Sequence, residues 1–337
     1  MNLSRRGLLA ASLGLAATGI AGCSSTPATT GSAVASPGLT PANITFGYIG
    51  DFNGASLLAV AEAKGMWAKQ AITATTKVFT NGPLQITALG TGDLQYGYIG
   101  PGAFWLPASG QAKIIALNTI GNADRVIAQP GITSMEMLRG KKVGVPEGTS
   151  GDMILNLALK KAGMTKADIQ FTPMDASTVV AAFASKQIDG AGIWYPNVAT
   201  IKKSVPDLVE LAKNKDFEAE VAFPNAFVAG NKVVTEQKDV TVRVLKVLRE
   251  AMQFRYDNLP ETITLTAKML KQEESIVKAD TENATRLTPA DMDAKIADGT
   301  VNKWLKGMSD YFVSAGKLTN PGDPSTWFMA DLFKSAK

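Results

Sequence analysis

From Ile44 onward the chain alternates strand-like and helix-like runs, and after Gly140 the alternation begins again. Residues 44–49 read as a strand, 55–64 as a helix stopped by Gly65, and 73–79 as a second strand. A helix over 84–89 ends near Gly90. A strand over 94–99 then leads through Gly100-Pro101-Gly102 into an apolar helical stretch ending at Leu106, and 114–118 is a further strand. The restart places strands at 142–145, 169–172 and 190–194, with helices over 152–162 and 177–185 between them. A β-α-β-α-β order with short connections predicts an α/β fold of two lobes, each a mainly parallel sheet flanked by helices. Beyond about Asp239 the pattern is mostly helical: Val240, Val244, Leu245, Leu248, Ala251 and Met252 recur at helical spacing, as do Trp304, Met308 and Phe312.

The amino terminus is of another kind. Arg5 and Arg6 precede an apolar run from Leu8 to Ile20, and Ile20-Ala21-Gly22-Cys23 closes it. A basic start, an apolar stretch short for a membrane span and small residues before the cut describe an export signal. With Cys at the cut, the segment resembles the lipobox of bacterial lipoproteins. Residues 1–22 are then a signal peptide and Cys23 the lipidated first residue. Ser4-Arg5-Arg6 also resembles a twin-arginine start. Residues 23–43 are rich in Ser, Thr, Ala, Gly and Pro and read as a flexible linker. About 295 residues follow, long enough for two lobes.

Composition narrows the function. The chain has no histidine and Cys23 is its single cysteine. Serine-histidine and cysteine-histidine nucleophiles, histidine zinc sites and structural disulfides are excluded from the mature domain. The 34 basic residues, two of them in the export segment, face 30 acidic ones, which gives no case for nucleic acid. No cofactor and no metal are expected.

The loops at the carboxyl ends of the strands share one chemistry: Asp51-Phe52-Asn53-Gly54, Thr80-Asn81-Gly82, Gly100-Pro101-Gly102, Gly148-Thr149-Ser150-Gly151 and Pro173-Met174-Asp175. Nearly all are small, polar and glycine-bearing, and each leads into a helix. A helix start offers unpaired N–H groups and partial positive charge to an anion. Any one such loop is an ordinary turn and N-cap. Their repetition in both halves predicts helix ends facing each other across a cleft, as open α/β sheets place ligands at this edge.

Residues 44–231 resemble the taurine, aliphatic-sulfonate and nitrate family of periplasmic binding proteins. The resemblance is carried by Phe79-Thr80-Asn81-Gly82 followed by Ala88-Leu89-Gly90-Thr91-Gly92-Asp93, and by Leu138-Arg139-Gly140-Lys141-Lys142-Val143-Gly144-Val145-Pro146. Ile188-Asp189-Gly190-Ala191-Gly192-Ile193-Trp194-Tyr195-Pro196 adds to it, with Lys186-Gln187 replacing the usual glycine, and Leu287-Thr288-Pro289 is a weaker match. The resemblance implies a type II binding-protein fold whose lobes close on ligand and hand it to an ABC permease. It places lobe one at 44–129 and 229–337 and lobe two at 130–228, with crossings near 125–128 and 227–229. It also implies a monomer held to the membrane by its lipid.

Within that family the taurine branch is nearest, through Ile120-Gly121-Asn122-Ala123-Asp124. A taurine-type ligand asks for N–H donors on its sulfonate and a carboxylate on its ammonium. Asp124 stands where the branch carries a Glu, and Asp51, Glu147, Asp152 and Asp175 are further acids near the cleft mouth. Asn225 stands where the branch carries an Asp, which speaks against an ammonium. The candidate ligand residues are Phe52, Asn53, Asn81, Gly82, Gly100, Pro101, Gly102, Asp124, Thr149, Ser150, Gly151, Asp175, Trp194 and Asn225. Phe52, Trp194, Tyr195 and one of Phe104 and Trp105 would pack an organic tail. The cargo stays open between taurine, other alkanesulfonates, nitrate and a thiamine-pyrimidine precursor. Enzymes on this fold, the sulfinate desulfinases and pyrimidine-precursor synthases, use a Cys or His that this mature domain lacks.

Overall fold

In a computed structural model that describes residues 38–337, the expected runs become two twisted sheets. The first contains β1 (Ala42–Ile49), β2 (Ile72–Phe79), β3 (Tyr96–Ile99) and β4 (Lys113–Gly121). The second contains β5 (Asp124–Ala128), β6 (Lys142–Val145), β7 (Gln170–Pro173), β8 (Gly190–Trp194) and β9 (Val209–Lys213). The chain then returns to the first sheet with β10 (Pro224–Ala229) and β11 (Ala284–Arg286). The orders are β11-β4-β10-β3-β1-β2 and β7-β6-β8-β5-β9. The α/β architecture of two sheets with helices around them is as the alternation predicted; most strands of each sheet run in one direction, with β5, β10 and β11 opposed.

Burial follows position in each sheet. Every residue of β3, β5, β8 and β10 is buried, whereas edge strand β2 is largely exposed. Strands covered on both faces read as near-continuous apolar runs. At that edge β1 and β2 pair in parallel register from Ala42 opposite Ile72 to Ile49 opposite Phe79.

Three strands depart from expectation. β10 lies antiparallel between β3 and β4, with Ala226 opposite Ile99 and Asn225 opposite Thr119. β5 likewise lies wholly inside the second sheet, between β8 and β9. The chain therefore passes between sheets at 121–124 and at 214–223, slightly before the crossings expected at 125–128 and 227–229. The short β11, three residues with no alternating pattern, carried no strand signal and pairs with β4 at the sheet edge.

The C-terminal part wraps the first sheet. The helix Lys238–Asp257 buries Val244, Leu245, Leu248, Ala251 and Met252, the stripe its spacing predicts, with Val240 half-buried at its start. Met308 and Phe312 are buried on the helix Thr300–Ser314. The chain end is tied back to β4: Ile114 N–H donates to the Trp327 carbonyl (2.7 Å), and Met329 N–H donates to that of Ile114 (2.8 Å). The signal segment, Cys23 and most of the expected linker lie outside the described residues.

Candidate ligand-binding site

The carboxyl ends of β1, β2, β3, β6 and β8 point at one cavity between the sheets, and the first inter-sheet passage closes one side of it. The cavity is small, with room for a ligand of few heavy atoms. Asn53, Asn81, Gly82, Gly100, Asp124, Thr149, Ser150, Trp194 and Asn225, all singled out from sequence, line it together. So do Asp51, Tyr98, Ala123 and Tyr195. Asp51 and Tyr195 stood near the expected mouth. Tyr98 carried no signal beyond its place next to the end of a strand.

Five expected residues do not line the cavity. Phe52 turns inward and packs with Ile263, Ala267 and Val277. Pro101 is buried at the start of the turn Pro101–Ala103, whose neighbours Gly100 and Ala103 face the cleft instead. Gly102 serves contact between the sheets: a Cβ there would stand 1.9 Å from the Thr149 carbonyl carbon. Gly151 serves helix-on-strand packing, since a Cβ would stand 2.5 Å from the Gly192 carbonyl oxygen. Asp175 is exposed. Neither Phe104 nor Trp105 lines the cavity; the first is buried in the core and the second half-buried beside Met153 and Tyr311.

The helix starts differ in what fills them. On the helix Phe52–Ala63, Asp51 Oδ1 accepts from Gly54 N–H (2.7 Å) and Asp280 Oδ2 accepts from Phe52 N–H (2.8 Å). The expectation that this loop offers its N–H groups to an anion is therefore corrected: two carboxylates of the chain itself occupy it. On the helix Gly82–Thr91, Asn81 Oδ1 takes Leu84 N–H (3.0 Å), and Pro83 has none to give. On the helix Ser150–Lys161, Asp152 Oδ2 accepts from Gly148 N–H (3.1 Å) and is itself paired with Lys166 (2.5 Å). The Thr149 hydroxyl donates to the Pro146 carbonyl (2.5 Å), so its proton is not free for a ligand. The first-turn N–H groups and the Ser150 hydroxyl are what this helix presents to the cleft.

Asp124 and Trp194 stand directly opposite each other across β5 and β8, which puts a carboxylate beside an aromatic wall. The Asn214 side chain clamps Asp124: its Oδ1 accepts from Asp124 N–H (2.7 Å) and its Nδ2 donates to Asp124 Oδ2 (2.8 Å). Asp124 Oδ1 has no hydrogen-bond partner in the protein, although the residue is 3% exposed. Burial pushes its carboxyl up, while Ser150, Asn214 and Arg125 pull it down. Asp51 is pushed well up, first by burial and then by the charges of Asp280 and Asp124. The Tyr98 hydroxyl is raised by burial and by the same carboxylates. Tyr195 is fixed by Glu210 (3.1 Å) and Lys202 (3.1 Å), with the Arg125 guanidinium 5.2 Å from its ring centre. Among the described residues, the lining includes no Lys or Arg.

A family model described as NMT1/THI5 like matches residues 53–262. A putative binding protein of Brucella abortus (strain 2308) is 53% identical over 290 residues, covering 86% of this chain and 91% of that protein. The taurine-binding periplasmic protein of Escherichia coli (strain K12) is 25% identical over 284 residues, 81% of this chain and 88% of that protein. Among solved structures, the alkanesulfonate-binding protein SsuA of Xanthomonas axonopodis pv. citri, bound to MOPS, matches with TM-score 0.68 at 19% identity. It covers 86% of this chain and 98% of that one, a likeness of fold. The resemblance carried by the motifs and the matches to whole relatives agree, and the chain belongs to the NMT1/THI5-like family.

Proposed function

We propose that this protein is the extracytoplasmic substrate-binding component of an ABC importer. It captures a small organic anion, taurine or another aliphatic sulfonate, and delivers it to the permease. The observation that carries this reading is the approach of two helix starts, at Gly82 and at Ser150, from different sheets to one small cavity walled by Trp194. The first-turn N–H groups of the Ser150 helix, with the Gly82 N–H opposite them, can hold an anionic head without a basic side chain. The taurine-binding name of one relative supports the cargo class. No catalytic role is proposed, because the sequence has no histidine and its one cysteine lies at residue 23.

A thermal-shift screen of the purified domain against taurine, alkanesulfonates, nitrate and aminopyrimidines tests the reading, since a ligand selective for the native state raises its stability. Stabilisation by a sulfonate is expected. Stabilisation by nitrate or a pyrimidine, with none by any sulfonate, would replace the cargo. The tether at Cys23 belongs to the same proposal: Cys23→Ser should free the protein from membranes in fractionation without altering ligand affinity.

A further inference from the structure

Arg255, on the helix Lys238–Asp257, is 0% exposed and does not line the cleft. Among the described residues it forms no ion pair. Its Nη1 donates to Asn118 Oδ1 (2.9 Å) and to Ser56 Oγ (3.4 Å), its Nη2 donates to the Asn118 carbonyl (3.3 Å), and its Nε has no partner. Burial, and then the charge of Arg286, lower its pKa to about 9. A buried guanidinium without a carboxylate is costly, and an apolar side chain of its size would avoid that cost. Asn118 is the extra residue of a β-bulge: Ala226 on β10 stands opposite Leu117 and Asn225 opposite Thr119, which leaves Asn118 without a partner in that ladder. Its Nδ2 donates to the Asn53 carbonyl (2.7 Å). Asn53 lines the cleft, and so does Asn225, which donates to Thr119 Oγ1 (3.0 Å) one residue past the bulge.

We propose that Arg255 is a positioning residue for the ligand site: by holding the bulge at Asn118 it sets the places of Asn53 and Asn225 in the cleft without itself touching ligand. This rests on reading the cleft as the ligand site. A planar fork suits the task, because two of its donors meet two oxygens of one residue in a fixed relation that an ammonium does not reproduce. Packing alone would explain a large side chain between this helix and β4. It does not explain a charged one, kept without a counter-ion and bonded to a residue that the strand ladder leaves out. Asn53 Oδ1 is buried without a partner, so that amide takes its direction from the backbone to which Asn118 is bonded. A link of 137 residues in sequence, from Asn118 to Arg255, thus ties the late helix to the start of the helix Phe52–Ala63.

Two substitutions separate positioning from packing. Arg255→Lys keeps the buried charge and loses the fork. Asn118→Asp gives Arg255 a counter-ion and removes the donor to Asn53. In titration calorimetry of the mature domain with taurine, each is expected to weaken binding about tenfold. The ligand-free melting temperature of Asn118→Asp is expected to stay within about 3 °C of wild type. Hydrogen exchange of the ligand-free protein should quicken at residues 52–56 and 223–226 in both variants and stay unchanged in the second sheet. Taurine affinity within about twofold of wild type in either variant overturns the proposal. In Arg255→Lys it would mean that charge alone suffices, and in Asn118→Asp that the link to Asn53 is not needed. Weaker binding accompanied by faster exchange throughout both sheets assigns Arg255 to folding alone and also overturns it. If wild type binds no taurine, the sulfonate reading fails by itself and the exchange pattern decides. Acceleration confined to the two segments then sustains the positioning role, and any other pattern overturns it.

Discussion

The starts of the helices Phe52–Ala63 and Ser150–Lys161 look alike in sequence and do opposite things. Each follows a parallel strand through a short polar turn containing glycine. Yet the first is filled by Asp51 and by Asp280, which lies 228 residues away from Phe52 in the chain. The second keeps its first turn and the Ser150 hydroxyl toward the cleft, because Asp152 is engaged with Gly148 and Lys166. Loop composition makes an anion site possible. What decides is which distant side chain reaches the helix end first.

The largest expected effect breaks the open end. Gly102→Ala places a carbon where the Thr149–Ser150 backbone now lies, so the two loops must part. Taurine affinity should fall about a hundredfold or more in calorimetry, equivalent to about 3 kcal/mol, with the far-UV circular dichroism unchanged. An affinity within twofold of wild type would mean that this contact between the sheets is not needed for binding.

Ser150→Ala sharpens the comparison from inside the cleft. Loss of a hydroxyl that joins N–H groups on an anion should weaken taurine about tenfold. Thr149→Ala, one residue earlier, should leave affinity within about twofold, since its proton already goes to Pro146. Its cost is expected in stability, about 1 kcal/mol by denaturant titration. A reversed order in these two variants would show that the Thr149 side chain turns toward the ligand on binding.

The filled end has its own signature in pH. Burial pushes Asp280 up to about 6. Between about pH 4, where an unfolded Asp titrates, and pH 6 the folded chain holds a proton that the unfolded chain has lost. This contribution therefore weakens as pH rises through that window and stays low above it. Asp280→Asn keeps an acceptor for Phe52 N–H and removes the charge. It should raise the ligand-free melting temperature by about 2–4 °C at pH 7.5 and by less at pH 4.5. A larger gain at the lower pH would contradict the assignment. The smallest effect is expected from Lys142→Gln, at the far end of β6 from the cleft, which should not change affinity measurably.

The elements most legible in the sequence were those whose signal is local. The strands at 44–49, 73–79, 142–145 and 190–194 announced themselves by β-branched and aromatic runs between glycine turns. The long C-terminal helix did so by the period of Val244, Leu245, Leu248 and Met252. Trp194 and Ser150 were legible because motif and turn chemistry fix their place at a strand or helix end. Tyr98 and Asp280 were not. One is an unremarkable strand residue, and the other reaches the site only through the packing of the helix Glu274–Asp280. Gly102 and Gly151 were seen as site residues for a reason that proved indirect: both make room for neighbouring backbone.

The position of β10 has a consequence for the order in which the molecule is made. β3 and β4 never pair with each other; their shared place is held for a strand synthesised only after all of the second sheet. Until residue 229 is available, the growing chain carries β1, β2 and β3 with one raw edge and β4 with another. The contacts that join them have long sequence separation and form slowly. The second sheet needs no such late arrival, since β5 through β9 are contiguous in sequence. It is therefore expected to gain protection from hydrogen exchange first, and a chain truncated before Pro224 should expose two apolar strand edges and aggregate.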